Sequence, residues 1–428
     1  MNKIALFIIL PFVSHYNSSF GLADTLKSKG CRVVFTGSNN FRYHIQKEGF
    51  EFVDVPLVEE YVVNNIMTGL KLLFVNLVSK KLLKVRYRNF LKSVYAIQEI
   101  CKEIKPQEIF IDEHLSLYFF VLKNKSTKIT IINTKLPTRH KLGIPPLTCS
   151  IPFKNNLFYW LLSEFFWLRH LVSSKFNFVF RDVVFLGADD KLFFKRFSKK
   201  NGVPFDEFYN RYNLLYEGVR KVDTIHILPR FLEYNWYKCD QFEEFTYYYH
   251  IRKNEENLNL LTIVHSIKLL PNSNAYLVYV SLGTLSGLYE KTVKRFYQRL
   301  FLAIEEMKSV YLIVSTGGVA MNGDFYNKSR IFVFESVPQQ VLLPYCDLMI
   351  SHGGMNSVCE CIEAAVPVLI YPLNCNNSDQ PGNAARIVSK GFGLQGNIYK
   401  DTSSHIKKKI NKMLSSPSFR KRILEVNK

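Results

Sequence analysis

Short apolar runs alternate along this chain with amphipathic stretches, and the alternation occurs twice. Ile4 to Leu10 and Arg32 to Phe35 are continuous apolar runs of the kind that form buried parallel strands. Between them, a polar loop over Pro11 to Asn17 leads to a predicted helix capped by Ser18 or Ser19, running to Lys29 and stopped by Gly30. This βαβ start predicts a doubly wound sheet. Glu108 to Ile111 adds a strand that ends in Asp112, Glu113 and His114. The alternation restarts with Tyr276 to Val280, followed by Ser281-Leu-Gly-Thr284, and continues with Tyr311 to Val314, Gly317-Gly318 and Ile331 to Phe334. Asp347 to Ser351 and Val366 to Ile370 are two further strands. After the first of these, His352-Gly353-Gly354 runs directly into Asn356-Ser357 and the helical pattern Val358, Cys361, Ile362, Ala365. That is strand, glycine turn and helix, with Asn356 or Ser357 suited to the N-cap.

Arg220 to Asn274 carries little pattern. The division expected is therefore a first α/β domain over 1–250, a linker over 251–274 and a second over 275–428, each a doubly wound parallel sheet. The tail after His405 is basic and helical in pattern.

In an open α/β sheet the carboxyl ends of neighbouring parallel strands face one ligand crevice. His15 and Asp112 both stand at such ends in the first domain. In the second, glycines permit close approach of an anion, and a helix N-terminus favours negative charge. His352, Asn356 and Ser357 add side-chain donors, and Asp379-Gln380 lie in the loop after the next strand.

At these residues the chain resembles the nucleotide-sugar-dependent glycosyltransferases of the UDP-glucosyl/glucuronosyl type, especially their bacterial, macrolide-glycosyltransferase-like branch. The pattern stands here as Pro338-Gln339, His352-Gly-Gly-Met-Asn-Ser-Val-Cys-Glu360, Ala365-Val-Pro367, Pro372 and Asp379-Gln-Pro-Gly-Asn-Ala384. So many matches in order set it apart from a lone glycine-rich turn. The resemblance implies a GT-B fold, with two facing Rossmann-like domains, the active site in their cleft and the last helix packing back on the first domain. It also implies roles. His352, Asn356 and Ser357, with Gly354 and the Gly283-Thr284 loop, would hold the diphosphate. Glu360 would hold the ribose hydroxyls, Gln339 the uracil neighbourhood, and Asp379 with Gln380 the sugar. His15 would be the general base and Asp112 the carboxylate that orients it, a part the adjacent Glu113 could also play. His114 is read as a packing or surface residue. Ser336 and Met355 stand where plant members carry tryptophans, which leaves open whether the base is uracil or thymine and which sugar is carried.

Composition changes this picture in two ways. The formal net charge of +20 over 428 residues points to anionic partners, but no nucleic-acid module accompanies it. Tyr61 to Gln98 holds seven basic residues and no acidic one, interleaved with apolar residues near helical spacing. With the aromatic-rich Leu157 to Leu168, it reads either as a core helix with a solvated basic face or as a surface in peripheral contact with anionic lipid. The eight cysteines form no CxxC pair and no zinc spacing, and read as reduced thiols of a cytosolic chain. The N-terminal apolar run reads as the first strand rather than a signal peptide, and no 18-residue apolar stretch predicts a transmembrane helix.

The function expected is thus an inverting hexosyltransferase, taking a nucleotide sugar (a UDP-hexose first, a TDP-sugar second) as co-substrate and a small apolar acceptor. No other cofactor is implied. No Asp-x-Asp pair asks for a metal, since Asp189-Asp190 are adjacent. The alternatives are a membrane-surface enzyme acting on a lipid, and a non-catalytic relative or partner subunit.

Overall fold

The structure is a computed structural model, and it describes residues 3–57, 66–124, 127–188, 190–210, 218–253, 258–269, 275–284, 286–320, 329–374 and 378–427. Asp189, Cys375, Lys428, residues 61–65 of the basic run and parts of the linker (254–257 and 270–274) lie outside them. The chain divides into two compact units. The first comprises Met1–Leu142, Leu161–Arg230 and Tyr237–His250; the second comprises Gly143–Trp160, Phe231–Trp236 and Ile251–Lys428.

In the first unit, strands β1 (Ile4–Ile8), β2 (Arg32–Gly37), β3 (Glu51–Asp54), β4 (Glu108–Asp112) and β5 (Lys128–Asn133) belong to one sheet. A two-stranded ribbon, β6 (Tyr209–Asn210) with β7 (Gly218–Val219), stands apart from it, and β8 (Thr224–His226) and β9 (Glu243–Phe245) complete the sheet. The order is β3-β2-β1-β4-β5-β8-β9, every pairing parallel. β1 and β4 are legible in the sequence because strands covered on both faces carry no polar alternation. Phe7, Phe35 and Phe110 stack on one face of the sheet, while Leu6, Ile8, Ile109 and Ile111 face a second core.

The second unit repeats the scheme. Its strands are β10 (Tyr276–Ser281), β11 (Val310–Ser315), β12 (Ile331–Phe334), β13 (Leu348–Ser351), β14 (Val368–Ile370) and β15 (Gly393–Gln395), in the order β12-β11-β10-β13-β14-β15, again all parallel. In both sheets the order reverses beside the first strand of the unit, between β1 and β4 and between β10 and β13. These are the topological switch points at which α/β folds bind ligands.

Two local expectations need correction. The first helix spans Val13–Ser28, so His15 lies in its first turn, not in a loop. Tyr16, Phe20 and Ala23 are buried at helical spacing, and that stripe carries the helix back through a segment whose serines and asparagine suggest a loop. The helix after β13 spans Met355–Glu363 with Gly354 at its N-cap, so neither Asn356 nor Ser357 caps it. The tail forms the helices Ser403–Leu414 and Ser418–Val426. In the last, Phe419 joins the second unit's core, Arg420 donates to the Cys346 carbonyl and Asn427 to that of Ile362.

Candidate functional site

Each unit carries its own set of candidate residues. In the first, β4 ends on Asp112 and the first turn of the helix that follows β1 carries His15, so two strands adjacent in the sheet bring the two side chains together across the switch point. His15 Nδ1 lies 2.6 Å from Asp112 Oδ2, with both residues buried. An ionised carboxylate only accepts, so the imidazole donates through Nδ1 and its Nε2 is left as a basic lone pair. Asp112 Oδ1 accepts from the backbone N–H of His114 and from its Nδ1, each at 3.0 Å. Burial alone would raise the Asp112 pKa, but the His15 and His114 rings hold it well below the ordinary carboxylate range. Glu113 points elsewhere: it is buried and accepts from Thr138 Oγ1 at 2.9 Å.

His114 does more than pack. Its ring meets His15 edge-on with centroids 5.0 Å apart, and Lys135 Nζ donates to its Nε2 at 2.9 Å. Burial and the Lys135 charge push its pKa down to about 4, against the pull of Asp112. His114 is therefore a neutral relay between a cation and the carboxylate. Among the described residues, His15, Asp112 and His114 form the cluster whose ligand atoms could close on an ion, all within 4.8 Å of one another. Both imidazoles spend Nδ1 on the carboxylate, and Lys135 brings a positive charge to His114, which fits a hydrogen-bonded dyad better than a cation site.

In the second unit the glycine loops after β10 and β13 close on one side chain. A Cβ on Gly283, whose φ is +83°, would stand 2.6 Å from His352 Cε1, and one on Gly354 would stand 2.7 Å from its Nε2. Only glycines let both loops grip the His352 ring this closely. Burial pushes the His352 pKa down to about 4, with Asp379 and the Ser281 backbone opposing. The helix Met355–Glu363 begins beside this ring with Gly354 at its N-cap, which offers no side chain to the first turn, an arrangement suited to an anion. Asn356 and Ser357 lie in that turn, and Thr284 is exposed.

Around this centre the remaining predicted residues are joined by hydrogen bonds. Gln339 Nε2 donates to Glu360 Oε2 at 2.6 Å and to Ser357 Oγ at 3.3 Å. Burial raises the Glu360 pKa, while Arg252, 2.8 Å away, and Gln339 lower it. Asp379 is the N-cap of the helix Gln380–Lys390. Asn383 Nδ2 donates to both Asp379 Oδ2 and the Gly353 carbonyl at 2.9 Å, tying the Asp-Gln loop to the His-Gly-Gly loop. Gln380 Oε1 accepts from the backbone of Leu373 and Asn374 at 2.8 and 3.0 Å, so its carbonyl end shapes the loop after β14. Sequence reasoning missed Arg252, which sits in a patternless linker, and the structural part of Asn383, although Asn383 stands inside the Asp-Gln motif itself.

The two depressed histidines give the fold an acid limb. An unfolded histidine takes a proton from about pH 6.5, whereas these stay neutral until about pH 4. The stability they carry is complete above about pH 6.5 and is lost as pH falls towards 4, roughly 1–3 kcal/mol for each. Denaturant unfolding at pH 7.5 and at pH 4.5 measures this, and in His114→Asn and His352→Gln the acid loss should shrink.

Known proteins resemble this chain in sequence and in fold. Residues 273–428 match the UDP-glucoronosyl and UDP-glucosyl transferase family. A UDP-glucuronosyltransferase of Pleuronectes platessa is 38% identical over 93 residues, 21% of this chain and 19% of its own. A zeaxanthin glucosyltransferase of Pantoea ananas is 30% identical over 156 residues, 35% of this chain and 33% of its own. The matched part thus spans a third or less of these curated relatives. Solved structures align over nearly the whole length. The glycotransferase of kitacinnamycin covers 99% of this chain and 94% of its own, with a TM-score of 0.70 at 16% identity. A spinosyn rhamnosyltransferase SpnG complexed with thymidine diphosphate gives a TM-score of 0.60 at 12% identity, covering 100% of this chain and 95% of its own. Residues 273–428 are thus similar to the UDP-glucoronosyl and UDP-glucosyl transferase family, and the chain as a whole has the GT-B fold of two Rossmann-like units.

Proposed function

We propose that this protein is an inverting glycosyltransferase, moving a hexose from a nucleotide sugar, a UDP-hexose first, to a hydroxyl of a small apolar acceptor. The observation that carries the proposal is that one unit holds a buried His15–Asp112 dyad and the other a glycine-gripped histidine beside a helix N-terminus whose N-cap is Gly354. His15 Nε2 takes the acceptor's hydroxyl proton as the oxygen attacks the anomeric carbon. Asp112 holds the Nδ1–H tautomer and stabilises the imidazolium that results. The glycosidic bond to the diphosphate breaks through an oxocarbenium-like state, and the electron pair leaves on the phosphate oxygen. His352, Asn356, Ser357 and the backbone N–H groups of the Gly283 and Gly354 loops meet that growing charge. Glu360 and Gln339 hold the nucleoside, and Asp379 and Gln380 hold the sugar hydroxyls. The zeaxanthin glucosyltransferase names among the relatives support an apolar acceptor. The thymidine diphosphate bound to the structural neighbour SpnG keeps TDP-sugars as the second donor.

The test is turnover on a panel of hydroxylated apolar acceptors, with the anomer of the product read by NMR. A β-glycoside from an α-linked donor is expected, at a rate unchanged by EDTA. An α-product, or activity lost in chelator and restored by a divalent ion, contradicts the mechanism. His352→Ala should weaken UDP binding and lower kcat together, because the ring meets the diphosphate in both ground and transition states. A fall in kcat with UDP affinity intact would remove His352 from the donor site.

A further inference from the structure

The helix Leu157–Val184 turns an apolar stripe to solvent along most of its length. Leu161, Phe165, Leu168, Val172, Phe176 and Val179 are each between 59% and 64% exposed. At 3.6 residues per turn they fall within about 80° of the helix circumference and extend over about 27 Å. A surface helix of a globular protein ordinarily turns such a stripe inward. Scattered exposed leucines need no explanation, but a contiguous patch of this length marks an interaction surface.

Charge identifies what covers it. Arg169 and Lys175 are exposed and stand on the two flanks of the stripe. At its C-terminal end, Asn76 Nδ2 donates to the Val184 carbonyl at 2.7 Å, docking the helix Ile66–Val78 there. That helix exposes Met67, Phe74 and Leu77. The chain then enters the helix Lys81–Ile104, whose Arg86 stacks on Phe185 at 3.9 Å. The acid-free basic run therefore lies against the end of the apolar stripe, with Lys80, Lys81 and Lys84 exposed. A second copy of this chain would bring one like-charged margin up to another, which disfavours a symmetric dimer. An anionic bilayer meets both properties at once, taking apolar side chains below its headgroups and pairing lysines with its phosphates.

We infer that this face of the first unit is a monotopic docking surface for anionic lipid bilayers. Among the described residues no helix is long and apolar enough to cross a membrane, so the attachment is interfacial and reversible. The inference stands apart from the glycosyltransferase reading, since it uses none of the proposed site residues.

Vesicle flotation tests it directly. The full chain should float at low salt with vesicles of mixed phosphatidylglycerol and phosphatidylcholine, bind pure phosphatidylcholine less, and be partly released by roughly 0.5 M salt. Phe165→Glu with Phe176→Glu should weaken binding by about tenfold or more. These positions are exposed, so melting temperature and circular dichroism should stay as in the wild type. Lys80, Lys81 and Lys84 changed together to Gln should weaken binding to the anionic vesicles alone. Failure of the wild type to float with either vesicle at low salt would overturn the inference, as would glutamate variants that float unchanged. A dimer in sedimentation velocity that the glutamate pair dissociates would also overturn it, reassigning the face to contact between copies.

Discussion

His15→Ala is expected to lower kcat by about 10²–10⁴-fold while UDP affinity stays within a few-fold of wild type, the usual cost of removing a general base. The geometry explains the size and the split. His15 Nδ1 is committed to Asp112 at 2.6 Å, so no other atom of the ring can take a proton except Nε2. Alanine removes that acceptor, and no neighbour replaces it: His114, 5.0 Å away ring to ring, has its Nε2 occupied by the Lys135 ammonium. The residues proposed to bind the diphosphate are all carried by the other unit, so donor affinity has no reason to fall. Asp112→Asn should cost a comparable factor by releasing the ring to the wrong tautomer. Lys135→Met leaves the dyad in place but frees His114, and should move the pH profile of kcat more than its maximum. Near-normal turnover in His15→Ala would remove the base assignment altogether.

The largest stability effect is expected where no chemistry takes place. Arg386 and Glu233 are 1% and 0% exposed and form a two-pronged ion pair at 2.6 and 3.1 Å. The guanidinium also donates to the carbonyls of Gly382 and Pro145 and lies 4.8 Å from the centre of the Tyr234 ring. Removing one partner leaves a buried charge unpaired, so Glu233→Gln should cost about 3–5 kcal/mol in denaturant unfolding. Glu233→Leu combined with Arg386→Met should recover much of that, because two apolar residues of similar size carry no desolvation penalty. A loss below about 1 kcal/mol in Glu233→Gln would mean that water reaches the pair. The helix Gln380–Lys390 bears Arg386 as well as the Asp-Gln loop, so a destabilised variant should also bind donor more weakly.

Much of the second unit was legible in the sequence. Its strands are buried runs without polar alternation, and its loops carry their glycines at fixed places between strand and helix. Local pattern therefore sets His352, Gly354, Asp379 and Gln380 at the carboxyl ends of their strands, whereas Gly283 and Glu360 stand out only through the family resemblance. Asp112 was legible as the end of a strand, but nothing local separated it from Glu113; Thr138, 25 residues on, does so by holding Glu113 in the core. What the sequence could not show depends on contacts distant in the chain. Arg252 reaches Glu360 from a patternless linker, Lys135 reaches His114, and segments 143–160 and 231–236 join the second unit through buried contacts such as Gly382 against Leu147 and Arg386 with Glu233. The start of the first helix was misplaced for a related reason: Ser14, Asn17 and Ser18 suggest a loop, and burial of Tyr16 overrides them.

The central claim, that this chain activates a nucleotide sugar at the His352 site, is tested most directly by donor hydrolysis without acceptor. Water can replace the acceptor hydroxyl slowly, so release of free sugar needs no knowledge of the natural acceptor. Incubating the purified chain with a set of UDP- and TDP-sugars should release UDP or TDP from at least one donor, and His352→Ala and His15→Ala should each suppress that release. Absence of hydrolysis across the set, together with no measurable UDP or TDP binding by calorimetry, would contradict the account.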